Sequence, residues 1–414
     1  MQLVKNNKIW SKFTREHFLW VGINQILCRA LVAFKFLYFA TVFGPAAIGL
    51  VGVGLMALAI VESLTDTGLP QAVVQAPQHP NRSALSAVWL IQSIRGLGLS
   101  ILLFLAASPL EQFFNIDGSA EVLASIAFCP LLRNSLSINY YLQQRNRNFR
   151  YLAFTEVSCL ILDLGVTLFF YSRNHGVLSL IYGNVAADAL RFTVSWMQPF
   201  LIKKPDWNDV RKLKGFGNWI WINSIIITII NQFDKVVVAK MLGATSFGSY
   251  QMASKVSQMA FVDVASMFAQ YLFPTLARLY STDPRSAYLV FRKIIIILLV
   301  FFFSSAVLIY LSIENDLLFF LPYNWIVVLP IVALLLPVMV MAATNGVLSS
   351  YLRAIGRPRV VTMATLFQGF VCIPLVFYLI KDHGVNGVIL GNTIGMLCSL
   401  FYMLRGVFEI RKVS

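Results

Sequence analysis

The sequence predicts an all-α polytopic membrane protein, with about twelve transmembrane helices in two pseudo-symmetric six-helix bundles around a central cavity. Three observations lead there: the composition, the distribution of Lys and Arg, and an internal duplication. Of the 414 residues, 58% are hydrophobic and only 12% charged, with a mean hydropathy of +0.73. A soluble domain has roughly 45–50% apolar residues and about a quarter charged.

Apolar stretches of about 20 residues, the length a spanning helix needs, fall at about 18–42, 45–70, 84–107, 118–140, 151–171 and 177–201. Six more fall at about 216–240, 246–272, 292–312, 325–349, 360–380 and 385–404. Gly, Pro and polar residues interrupt several of them, which membrane helices tolerate where neighbours satisfy the freed backbone groups. The segment Met1 to Arg15 is polar and basic and lacks a cleavage-type signal. The first apolar stretch is too long for a signal core, so the chain is expected to be retained whole.

Orientation follows from the cations. With both termini cytoplasmic, 23 of the 33 Lys and Arg fall on the inner side, in loops such as "QQRNRNFR", "KKPDWNDVRKLK" and "RAIGRPR". The outer side holds only Arg173 and Lys381. The net charge of +15 is therefore a topology signal, and a nucleic-acid partner is excluded.

The duplication is read from three stretches in matched order. "HGVLSLIYGN" (175–184) repeats as "HGVNGVILGN" (383–392), "YLQQRNRNFR" (141–150) as "YLRAIGRPRV" (351–360), and "ATVFGPAAIG" (40–49) as "AKMLGATSFG" (239–248). Six spans return the chain to its starting side, so the halves are parallel repeats related by an axis along the membrane normal. The expected division is a first bundle at 1–201, a basic cytoplasmic linker at 202–215 and a second bundle at 216–414.

Eight cations lie inside the spans: Arg29, Lys35, Arg95, Arg133, Arg191, Lys235, Lys240 and Lys255. Seven acids accompany them: Glu62, Asp66, Glu156, Asp163, Asp188, Asp234 and Asp263. At roughly 2.5–3.5 kcal/mol each near a helix centre, fifteen lipid-facing charges would cost about 40 kcal/mol. They must face protein or a watery cavity, pair, or snorkel. Lys240 and Asp66 sit near helix ends and can snorkel; Asp188 and Arg191 are one helical turn apart. None of the fifteen falls in the last four spans, whose Gly, Pro and Phe suit an apolar groove for a lipid tail.

Cations outnumber acids here, so a cavity lined by Arg29, Lys35, Arg95, Arg133, Arg191, Lys235 and Lys255 is expected to be net positive and to select an anion. Arginine suits a pyrophosphate through its planar fork of donors. Glu62, Asp66, Asp163, Asp188, Asp234 and Asp263 are candidates for ion coupling or charge pairing. No catalytic triad, metal cluster or phosphate-binding Gly loop stands out, so neither cofactor nor metal is expected. The five cysteines read as packed thiols. His175 and His383 belong to the repeat and are expected to cap or turn a helix, and the aqueous loops are too short for a glycan polymerase or glycosyltransferase.

"NQFDKVVVAKMLGATSFGSYQMASKVSQM" (231–259), with an Asp late in its span, a Leu-Gly turn and then Gly-x-Tyr, resembles the polysaccharide-transporter, or O-antigen flippase, family of the multidrug/oligosaccharidyl-lipid/polysaccharide exporter superfamily. "FGPAAIGLVGVGLMALAIVESLTDTGLPQAVVQ" (43–75) resembles that family's first repeat. The resemblance implies an inner-membrane flippase that moves undecaprenyl-diphosphate-linked glycan units, works as a monomer among membrane lipids, and has a glycan polymerase and chain-length regulator as candidate partners. Relatives have a cationic lumen, and Asp234, Arg29, Lys35, Arg95 and Lys255 match it by location. A multidrug or peptidoglycan-precursor exporter would share the fold. The former needs an acid-dominated chamber, and relatives with the latter job typically carry helices beyond twelve.

Overall fold

The computed structural model describes residues 2–75, 81–146, 148–198, 203–205, 207–315 and 322–411, with side chains from residue 24 onward apart from 75, 207–223, 271, 274 and 408–411. The basic tail and most of the predicted linker at 202–215 lie outside the described side chains. Among the described residues there are helices and turns and no strand.

The helices run α1 (Gln2–Leu64), α2 (Leu69–Gln75), α3 (Arg82–Phe114), α4 (Ser119–Ile126), α5 (Phe128–Asn134), α6 (Ile138–Arg145), α7 (Phe149–Ser172) and α8 (Leu178–Trp196). They continue with α9 (Trp207–Ala260), α10 (Val262–Thr282), α11 (Pro284–Glu314), α12 (Tyr323–Ile326), α13 (Leu329–Ala354) and α14 (Pro358–Arg411). Six of the described helices are long and apolar enough to cross a membrane, and the run α4–α6, bent by 60°, makes a seventh. Two of the six, Asn24–Leu64 and Pro358–Val407, have 41 and 50 residues, roughly twice the length of one crossing. Each covers two of the predicted stretches. The remaining stretches fall on α8, α9 and α10, which carry Asp188, Arg191, Asp234, Lys235, Lys255 and Asp263 and are the more polar for it.

The long helices are broken where the sequence repeats a glycine. Gly44 in α1 has φ 75°, ψ 178° and Gly243 in α9 has φ 78°, ψ −178°, a region open essentially to glycine alone. The two hold the same place in the duplicated stretches 40–49 and 239–248. Gly176 and Gly384, each after a repeated His, also match, with φ of 55° and 54°. His175 packs edge-on against Phe170 and Tyr182 at that turn.

The chain divides into two compact units, residues 1–39 with 53–225 and residues 40–52 with 226–414. This differs from the sequence division at 40–52 and at 216–225, and two local features explain the first. Pro45 has no N–H to give the carbonyl of Thr41 one turn back; the side-chain amide of Asn324, on α12, donates to that oxygen at 3.0 Å. Farther along, Gly49 and Gly248, equivalent in the repeat, meet each other. A Cβ on Gly49 would lie 2.2 Å from the Ala244 carbonyl, and one on Gly248 would lie 1.6 Å from the Pro45 carbonyl. Small residues let membrane helices approach backbone to backbone in this way.

In the first unit, Leu69, Val73, Leu85, Ala87, Val88 and Ile138 form a buried cluster joining α2, α3 and α6. Gly183 brings α8 against α7, since a Cβ there would meet Thr167 Oγ1 and Asp163. In the second unit Phe291 of α11 stacks on fully buried Tyr351 of α13 at 3.9 Å. All five cysteines are free, and Cys129, Cys159 and Cys372 are buried.

Asp283 caps α11. Its carboxylate accepts from the backbone N–H of Arg285 and Ser286 at 3.0 and 3.2 Å, with Pro284 in the first helical position. The Ser286 hydroxyl and N–H hold this carboxyl below its usual range. A lowered folded-state pKa stabilises above the unfolded value and is lost as pH falls through the folded one. Asp283→Ala is therefore expected to lower the thermal midpoint at pH 7, with the difference vanishing at acid pH. Tryptophan-monitored unfolding across pH checks this.

Candidate functional site

Half of the membrane charges of the first unit form one chain of ion pairs. Asp188 on α8 is 3% exposed and accepts on both oxygens: from Arg133 Nε of α5 at 2.7 Å and from Arg191 Nη1, three residues on, at 2.8 Å. Arg133 Nη1 also lies 3.4 Å from Glu62 of α1. Arg191 Nη2 reaches Glu156 of α7 at 2.8 Å, and the other oxygen of Glu156 accepts from Tyr140 Oη of α6 at 2.9 Å. Five helices are thereby tied together by three acids and two arginines. A lone buried charge costs several kcal/mol, so each takes the nearest opposite partner that helix rotation offers.

Lys35 behaves likewise. Its Nζ lies 2.5 Å from Asp163 Oδ1 of α7 and donates to Asn184 Oδ1 of α8 at 3.4 Å, with side-chain exposures of 13% and 8% for Lys35 and Asp163. Lys35, Arg133 and Arg191, expected to offer their charge to a cavity, thus each face a carboxylate. The excess of cations over acids, counted along the sequence, ignored this local neutralisation.

Arg95 on α3 is different. Its Nε donates to Thr65 Oγ1 at 3.1 Å, its Nη1 to Gln92 Oε1 at 3.1 Å and Asn134 Oδ1 at 3.0 Å, and its Nη2 to the Glu62 carbonyl at 2.5 Å. All four acceptors are neutral oxygens, although the carboxylates of Glu62 and Asp66 stand near enough to act on the charge. Asp66 Oδ1 itself accepts from the Gly68 N–H at 3.0 Å. Gly96 permits the clamp by letting α3 approach α5: a Cβ there would be 2.8 Å from the Pro130 carbonyl. Guanidinium has five N–H donors, so one remains uncommitted.

The second unit holds a node at the same places in the repeat. Asp234 precedes the stretch 239–248 by five residues, as Lys35 precedes 40–49, and Asn392 ends its repeat as Asn184 does. Tyr250 Oη donates to Asp234 Oδ2 at 2.5 Å, and Asn392 Nδ2 donates to the same oxygen at 3.1 Å. Cys372 Sγ donates to Asn392 Oδ1 at 2.9 Å from the preceding limb of α14. The first node pairs a cation with an acid; here the carboxylate accepts from neutral donors, the Tyr250 hydroxyl, the Asn392 amide and the Lys235 N–H. Lys235, one residue on, reaches away to Gln232 Oε1 at 3.3 Å. Arg29, Lys255 and Asp263 are half-buried, and the Asp263 carbonyl accepts from Ser266 Oγ.

Asn184, Asn392, Tyr250, Thr65, Gln92 and Asn134 are uncharged and were not among the expected site residues, although Tyr250 is the Tyr of the Gly-x-Tyr motif. A signal existed for the two asparagines, since both close the repeated stretch that ends in Gly-Asn.

The family described as "Polysaccharide biosynthesis protein" matches residues 39–330. The lipopolysaccharide biosynthesis protein WzxC of Escherichia coli (strain K12) is 21% identical over 413 residues, covering 94% of this chain and 80% of its own. An uncharacterized membrane protein in the cps region of Klebsiella pneumoniae is 19% identical, covering 98% and 83%. Among solved structures, the lipid II flippase MurJ in its inward closed conformation matches with a TM-score of 0.77 at 16% identity, over 94% of this chain and 87% of that one. At such identity the likeness shows the fold.

Proposed function

The chain belongs to the polysaccharide biosynthesis protein family, and on that premise we propose that it is a flippase carrying an undecaprenyl-diphosphate-linked oligosaccharide, an O-antigen, capsule or exopolysaccharide repeat unit, across the bacterial inner membrane by alternating access. Both termini are cytoplasmic in this reading, and the protein transports rather than polymerises or glycosylates. The named relatives in lipopolysaccharide synthesis and the cps region support a glycan substrate.

The observation that carries the proposal is Arg95, held by four neutral acceptors with a donor to spare. A fixed guanidinium in a low-dielectric setting offers a pyrophosphate a charge-assisted hydrogen bond without reorganising. Arg29 in the first unit and, separately, Lys235 and Lys255 in the second are assigned to the anion as well, and the apolar spans of the second half take the lipid tail. Lys35, Arg133 and Arg191 are assigned to scaffolding through their carboxylates. Asp234 is assigned to coupling ahead of Glu62, Asp66, Asp163, Asp188 and Asp263. Its hydrogen-bond partners are the neutral Tyr250 hydroxyl, Asn392 amide and Lys235 N–H, and intramembrane carboxylates of this kind mark ion pathways.

Reconstituted vesicles with a labelled polyprenyl-diphosphate sugar test this. Arg95→Ala is expected to slow translocation at least tenfold while the protein stays inserted and monodisperse. An unchanged rate would remove the cationic site from this mechanism.

A further inference from the structure

A cavity of about 670 Å³ lies in the second unit beside α10 and α13. Ala269, Ala342 and Gly346 give it a wall of small apolar groups, and Gln270, Ser350 and Arg353 add polar ones. The Ser350 hydroxyl donates to the Ala269 carbonyl at 2.9 Å, pinning the two helices together at its edge. Arg353 stands in the last turn of α13. Among the described residues it has no acid within ion-pair distance.

The duplication shows that the architecture does not require this cation. The equivalent position in the first half, two residues into the repeated Tyr-Leu, is Gln143. Gln143 is fully engaged, donating to Gln198 Oε1 at 2.6 Å and accepting from Asn148 at 2.9 Å. Arg353 is therefore a charge added to one half, at the mouth of a greasy hollow, next to Arg357 and Arg359 on the side that the cation bias assigns to the cytoplasm. An occupant that matches both parts is an anion with an apolar tail attached directly to it.

We propose that this cavity receives the diphosphate end of the polyprenyl-linked glycan as it leaves the cytoplasmic leaflet. The first isoprene units lie against Ala269, Ala342 and Gly346, and the Arg353 guanidinium takes a phosphate oxygen pair in a bidentate grip. The site is an entry station built from residues of the second unit. It rests on the flippase reading for the identity of its ligand.

Gly346 provides a clean test, because a Cβ added there meets nothing within 4 Å and a large side chain enters the cavity without moving backbone. Full-length protein in zwitterionic nanodiscs is titrated with undecaprenyl diphosphate, undecaprenol and phosphatidylglycerol. Gly346→Phe and Arg353→Gln are expected to weaken undecaprenyl diphosphate binding at least tenfold, with Gly346→Ala unchanged and all three keeping the wild-type melting midpoint. Undecaprenol should bind weakly and be insensitive to Arg353→Gln. Wild-type affinity in both disruptive variants, or equal competition by phosphatidylglycerol, overturns the entry site. If the wild type translocates lipid-linked sugar while these variants do so at the same rate, the site fails and the flippase reading stands. A wild type that neither binds nor translocates it overturns both.

Discussion

Gly248→Ala is expected to leave almost no folded protein. The added methyl would sit 1.6 Å from the Pro45 carbonyl oxygen, 2.5 Å from its carbon and 2.8 Å from the Gly49 nitrogen. All three are backbone atoms of a helix, so no rotamer change relieves the overlap. Restoring ordinary contact at about 3.5 Å requires the two helical limbs to part by roughly 2 Å. Their packing and the Asn324 bond at the Gly44 break would go with it. Ordinary overpacking costs about 1–3 kcal/mol where side chains can yield; here the cost should exceed about 4 kcal/mol, a large part of a typical total stability. Gly98→Ala on α3 is the matched control, because its Cβ meets nothing within 4 Å. Size-exclusion profiles and melting midpoints of the two should differ sharply. Similar behaviour would show that the limbs do not cross backbone to backbone.

Lys35→Met is the second large effect. It leaves Asp163, 5% exposed, without its cation, and breaking a buried pair from one side costs about 3–5 kcal/mol. Replacing both partners by apolar groups of similar volume is often neutral, so Lys35→Met/Asp163→Leu should regain most of the lost stability. The double variant also separates two roles. If Lys35 only neutralises Asp163, sugar translocation in vesicles returns along with the melting midpoint. A stable double variant that cannot transport would put Lys35 in contact with substrate. A double variant as unstable as the single one would show that the pair is not what holds α1 to α7 and α8.

Much of the architecture was readable in the chain because hydrocarbon imposes few solutions. A 20-residue apolar run must be a helix there, and the repeated glycines mark where such a helix can break. Gly44 and Gly243 even share their torsions, as their equal place in the duplication implies. The site was less legible. Arg133 takes Asp188 from 55 residues away, and Lys35 takes Asp163 from 128. Which face of each helix points at which neighbour is set by packing rotation, and an overall charge count averages over it. Arg95 stood out as deep and cationic; its neutral clamp of Thr65, Gln92 and Asn134 depends on Gly96 drawing two helices together, which spacing alone does not show.

The bond between Asn324 and Thr41 also fixes an order of events in time. Its two ends are 283 residues apart, and a ribosome adds about 5–20 residues per second. Asn324 therefore emerges roughly 15–60 s after Thr41. The first membrane hairpin can reach its mature shape only after most of the polypeptide has been made.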